Sequence, residues 1–140
     1  MLATPYNNAN NKVTWETSSL YRWLNGYFIY EAFTEKERNS LDANTKVSIL
    51  SVTEVQQYFN TPASRQAKAT EGAKKGKIQV ADNGNSCWWL RNDGLSNKTT
   101  PILSTGEFGE ELYVSNNFVG VRPVIVVKID SSVNSTYNLE

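Results

Sequence analysis

Few side chains in this sequence can do covalent chemistry. Its 140 residues include no histidine and one cysteine, Cys87. Ser-His-Asp and Cys-His constellations are therefore impossible, because each needs an imidazole as its base. Paired carboxylates could in principle hydrolyse a glycoside. Glu107, Glu110 and Glu111 form the densest acidic cluster, but they sit around a glycine-bearing turn and read as a solvated loop. The residue types point to a protein that is not an enzyme.

Calcium chemistry has some material. Asn92 and Asp93 are oxygen donors, and Glu107, Glu110 or Glu111 could join them. Calcium takes about six to eight oxygens, so one Asn-Asp pair falls short. The sequence predicts no metal and no cofactor, with calcium as the minor alternative. The simpler reading of "NDG" is a turn in which Gly94 supplies a positive φ.

Binding chemistry is better represented. The stretch "SCWWLRNDG", residues 86–94, sets two tryptophans side by side. Neighbours on a strand face opposite ways. Trp88 then shares a face with Leu90, and Trp89 with Arg91. The all-apolar pair predicts a core residue at Trp88. The mixed pair can stack indole on guanidinium and offer flat surface with donors to a sugar ring or a partner protein. The bland alternative covers Trp89 with the first helix or a loop. The candidate ligand-binding set is Trp89, Arg91, Asn92 and Asp93, extended by Tyr113 and Asn116. Trp23, Trp88 and Arg122 are assigned structural roles. Arg122, in "GVRPV", is expected half-buried and paired with a carboxylate such as Glu37 or Glu54.

The elements that must position these residues are legible in part. In "TSSLYRWLNGYFIYEAF" Leu20, Trp23, Leu24 and Tyr27 or Phe28 recur at helical spacing, with Ser18 or Ser19 as cap and Gly26 as a weak point. Thr34 and Glu37, and again Ser51 and Glu54, have capping-box spacing. The second opens a helix over "VTEVQQYF", ended by Asn60 and Pro62. "KVSIL" and "SCWWLR" read as strands, and "PILSTGEF" and "ELYV" as short strands about a glycine turn. Residues 60–85 read as loop with a brief strand at "KIQV". "FVGVRPVIVVKI" has the β-branched run of a buried strand, with Pro123 near its start. Helices early and strands late argue for α+β.

Composition limits the partners. The chain has 14 basic and 14 acidic side chains, so no polyanion-binding surface is indicated. The lysines of "AKATEGAKKGK" lack interleaved aromatics and read as a solvated loop, so no nucleic acid is expected. No apolar run is long enough to span a bilayer, so direct membrane insertion is not expected. Cys87 alone excludes an intramolecular disulfide framework. Met1 and the terminal Leu139-Glu140 look like cloning remnants, which suggests an excised domain. The expected layout is a lead-in over 1–14, one domain over 15–130 and a tail over 131–140.

Four segments together carry a resemblance: "WETSSLYRWLN", "ILSVTEVQQYF", "WWLRNDG" and "GVRPVIVV". The chain resembles a bacterial domain family of unknown function with an "RxWLN" helix, a "WWLRSPG" strand and a closing "GVRPA" strand. Tyr21 stands where that family has its first arginine, Asn92-Asp93 replaces "SP", and "GVRPV" replaces "GVRPA". The order of elements is similar to the C-type-lectin-like fold shared with formylglycine-generating enzymes. That likeness implies a small twisted antiparallel sheet flanked by two helices, with the termini together and long surface loops. The paired cysteines of formylglycine-generating enzymes are missing here. Family members sit in secreted or surface-attached proteins, which implies an extracellular or cell-surface location. The acceptor patterns at Asn97-Lys98-Thr99 and Asn134-Ser135-Thr136 are discounted on the same bacterial likeness. The function these readings imply is noncatalytic binding or adhesion, to a glycan or cell-wall polymer. The alternative is a structural or protein-docking domain of a larger surface protein.

Overall fold

A computed structural model describes residues 1–129. The tail over 131–140, with its second acceptor pattern and Leu139-Glu140, lies outside the described residues. The chain is α+β, as the order of sequence patterns predicts. Among the described residues six short strands carry the pairing: β1 (Leu2–Ala3), β2 (Trp88–Trp89), β3 (Lys98–Thr99), β4 (Pro101–Ile102), β5 (Leu112–Tyr113) and β6 (Gly120–Val121). Four of them form a sheet in the order β1-β6-β2-β4, and β3 pairs with β5 separately. The larger sheet is mixed, not antiparallel: β2 and β6 run parallel, with Trp88 opposite Gly120. A parallel neighbour needs a long connection, and here β3, β4 and β5 lie within it.

β1 corrects the expected boundary. Leu2 and Ala3 pair antiparallel with Val121 and Gly120, and Tyr6 is fully buried. The lead-in over 1–14 is therefore part of the packed body, and Met1 packs against two of its apolar clusters.

The first helical stretch forms in three pieces: α1 (Ser19–Trp23), a π-helical turn (Leu24–Phe28) and α2 (Ile29–Ala32). Ser18 is the cap, its hydroxyl accepting from the Tyr21 amide at 3.1 Å. Gly26 lies inside the wider turn. A side chain there would meet nothing, so the glycine weakens the helix without being needed for close packing. α3 (Glu35–Asn39) and α4 (Val52–Tyr58) both open on the predicted capping boxes. The loop expected over 60–85 contains two more short helices, α5 (Pro62–Arg65) and α6 (Glu71–Lys75).

Strand β2 divides the interior. Trp89 joins Tyr6, Trp15, Leu20, Leu24, Val47, Ile49, Val114, Val119 and Val121. Trp88 and Leu90 join Val55 and Ile102. Trp23 packs on the rim of the first cluster beside Phe28, ring centroids 5.4 Å apart. "KVSIL" keeps its alternation, with Val47 and Ile49 buried, but makes an isolated bridge from Ser48 to Val124 instead of a continuous strand, and Ser51 just beyond it bridges to Arg91. The closing run departs further from expectation. Past Val121 it holds to residues 41–48 through single bridges, and Ile125, Val126 and Val127 keep 36%, 46% and 51% of their surface exposed. β-branching favours extended backbone; it does not supply a cover.

Candidate functional site

The double tryptophan is core on both faces. Trp88 and Trp89 are each 0% exposed. The Trp88 indole N–H donates to the Arg65 carbonyl at 3.0 Å. Over Trp89 lies Tyr6, edge-on with ring centroids 6.0 Å apart, together with α1. Trp89 therefore offers no ring face to a ligand. The cover comes from the N-terminal segment, whose position no local pattern announces.

Arg91 does not stack on Trp89 as expected. Its Nη1 donates to Ser48 Oγ and the Ile49 carbonyl, both at 3.0 Å, and Nη2 lies 3.3 Å from Glu54. Burial works to raise the Glu54 carboxyl. The Ser51 amide bond and the Arg91 charge outweigh it and hold the carboxyl below its ordinary range. Glu54 is thus committed to Arg91, and Glu37 to the α3 cap. Arg122, expected to pair with one of them, has no ion pair among the described residues. It is Arg122 that stacks on a tryptophan, with its guanidinium carbon 4.5 Å from the Trp88 ring centre.

Asn92 is a clamp rather than a free contact. Its amide nitrogen donates to the Val13 carbonyl at 3.0 Å and the Gly94 carbonyl at 2.8 Å. Its oxygen accepts from the Tyr6 hydroxyl. Burial pushes the Tyr6 phenol well above the usual tyrosine range, and the Asn92 bond and Arg91 charge only partly offset this. The turn after Trp89 is thus built by the Asn92 side chain. Positive φ occurs at Gly84 and Gly106 among the glycines, not at Gly94. At Gly106 it is required, since a side chain would run into the Pro62 backbone.

The remaining candidates gather on one face. A recess of about 260 Å³ is lined by Arg91, Asn92, Asp93, Lys98 and Glu111 among others. A neighbouring one of about 440 Å³ is lined by Lys98, Glu111, Tyr113, Asn116 and Asn117. Lys98 and Glu111 belong to both and join them. The β3–β5 register sets Lys98 directly opposite Tyr113, and the ammonium lies 4.7 Å from the ring centre. Tyr113 is 51% exposed. Asn116 shapes the turn beyond it, donating its amide to the Tyr113 carbonyl and accepting from the Phe118 amide, both at 3.0 Å. Five of the six expected site residues therefore line this double recess, and Trp89 does not. Lys98 escapes sequence reasoning, and Glu111 enters it only as a loop carboxylate that could join Asn92 and Asp93 around calcium. Lys98 was absorbed in a modification pattern and Glu111 in an acidic loop, although the alternation in "ELYV" already put Tyr113 opposite in sense to the buried Val114.

Among the described residues no group of three or more His, Cys, Asp or Glu side chains is placed to hold a metal ion. No helix among the described residues is long and apolar enough to cross a membrane. The face can do non-covalent chemistry: one aromatic platform, two cations, two carboxylates and several amides. No family model, curated protein or solved structure matches the chain.

Proposed function

We propose that this chain is a noncatalytic, C-type-lectin-like binding module of a bacterial secreted or surface protein. Its site is the double recess around Tyr113, and its ligand is a glycan or cell-wall polymer. The observation that carries this is the exposed Tyr113 ring, set among Lys98, Glu111, Asp93 and Asn117. A pyranose has an apolar C–H face that suits an aromatic ring and hydroxyls that both donate and accept. Carboxylates, amides and an ammonium are the partners those hydroxyls need. The lectin-like reading is supported by the order of the motifs and by β1 closing on β6, which brings the N-terminal segment against a late strand.

A second reading is favoured by the burial of Trp15, Trp88 and Trp89. Tryptophans spent on the core are what a structural or protein-docking domain of a larger surface protein would show. A glycan and cell-wall-fragment array separates the two. The expected result is saturable binding by the wild type, lost in a Tyr113→Ala variant that melts normally. Silence across the array, or binding indifferent to Tyr113, would leave the docking reading in its place. Reducing ends released from a bound oligosaccharide would overturn the noncatalytic half of the proposal.

A further inference from the structure

Two arginines enter the apolar interior, and only one finds its acceptors there. Arg65, beside Trp88, donates from Nε to the Gly106 carbonyl at 2.7 Å and from Nη1 to the Phe59 carbonyl at 3.2 Å. Arg122 lies over the Trp88 indole, 4.5 Å from its ring centre and 5.8 Å from that of Phe59. Its Nη1 is shut off from solvent and has no hydrogen-bond partner among the described residues. A guanidinium stays charged in proteins, and a charged donor buried without an acceptor is unfavourable. Stacking on two rings offsets part of that penalty. It supplies no acceptor for Nη1.

Arg122 also forms the wall of an open recess of about 400 Å³ with Leu50, Tyr58, Phe59, Pro123 and Val124. Among the described residues no acidic side chain lines it. The volume falls in the range of small-molecule sites, which are mostly apolar with a few placed polar groups. Tyr58 is 64% exposed at the rim. The recess therefore combines a guanidinium that has no ion-pair partner among the described residues, flat apolar walls and access from solvent. We infer that it binds a small organic carboxylate with a flat apolar body, the carboxylate against Arg122 and the body against Tyr58, Phe59 and Pro123. A planar carboxylate matches the guanidinium fork better than a spherical anion does. This site is separate from the face around Tyr113, and neither depends on the other.

The test is an NMR titration of the wild-type chain with sodium benzoate and, in parallel, with its neutral isostere benzamide. The expected result is saturable benzoate binding that shifts the Trp88 indole N–H and the Arg122 Nε–H signals. Benzamide should bind at least tenfold more weakly, and Arg122→Met should weaken benzoate by a similar factor. Equal responses to the two probes, no movement of those two signals, or unchanged benzoate binding in Arg122→Met would each overturn the inference. Should Arg122→Met fail to fold, the benzoate–benzamide difference on the wild type decides alone.

Discussion

The two faces of strand β2 are both closed, but by different means. On the Trp88 face the cover is α4 and its neighbours, and the indole N–H reaches the Arg65 carbonyl. On the Trp89 face the cover is the N-terminal segment with α1, and the indole N–H has no acceptor among the described residues. One face is held by a helix with its own capping box. The other is held by a segment anchored at its start by the β1–β6 pairing and beyond it by individual hydrogen bonds, with the Tyr6–Asn92–Val13 clamp at their centre. The Trp89 face should therefore fail through that clamp, and the Trp88 face through loss of packing alone.

The largest expected effect comes from Trp89→Ala. Full burial of a tryptophan removes about 150–250 Å² from water, and such truncations cost about 3–5 kcal/mol. Urea denaturation should show that loss. A variant that keeps wild-type stability would mean that the indole is dispensable to the cover, and the contrast between the faces would disappear.

Next in size is Asn92→Ala, which strips the clamp of both donor and acceptor. It leaves the Tyr6 hydroxyl without its acceptor and takes one of two donors from the Val13 carbonyl, which still accepts from the Ser96 amide, at about 1–3 kcal/mol. Amide exchange should accelerate around residues 6–13 while α4 stays protected. Uniform acceleration across both faces would show that they open as one unit. The pH dependence sharpens the same point. The folded-state pKa of Tyr6 is raised, so its contribution is fully present below the unfolded value of about 10 and is lost as pH rises above it. Tyr6→Phe should flatten that alkaline decline in stability.

How much of this contrast was legible follows from the range of the interactions. The capping boxes at Thr34–Glu37 and Ser51–Glu54 were readable because each closes within three residues. The pairing of Trp88 with Leu90 was readable because alternation on a strand is local. The cover on Trp89 was not, since it depends on Leu2–Ala3 meeting Gly120–Val121 across almost the whole described chain. Arg122 misled for a related reason. Charge complementarity suggested Glu54, but Glu54 lies at the start of α4 where Arg91 reaches it first. The candidate face was half legible. Tyr113, Asn116, Asn92 and Asp93 were singled out by type, whereas Lys98 gains meaning only from a register across 15 positions, Lys98 to Tyr113.

A smaller effect tests the helix-held face. Glu54→Gln keeps a side chain able to reach the Ser51 amide but removes the charge facing Arg91, at about 0.5–1 kcal/mol for a half-exposed pair. The folded-state pKa of Glu54 is depressed, so the wild-type contribution is present above its unfolded value of about 4.3 and is lost as pH falls through the folded one. Melting scans should therefore converge for wild type and variant in acid and separate near neutrality. A constant offset at all pH values would assign the loss to the cap and not to the ion pair.

The smallest stability effect should accompany the largest effect on binding. Tyr113 is half exposed, and its ring is held on one side by Lys98. Exposed substitutions away from caps and cores usually shift stability by no more than about 0.5 kcal/mol, so Tyr113→Ala should melt within that margin of the wild type. Both faces of β2 would be undisturbed, because Val114, next along the strand, carries the contact with the Trp89 cluster. The same variant should abolish glycan binding, since it removes the platform while leaving Lys98, Glu111 and Asp93 in place. A large drop in melting temperature would instead make Tyr113 part of the support for the Trp89 face, and the β3–β5 ladder would then belong to the scaffold rather than to a site.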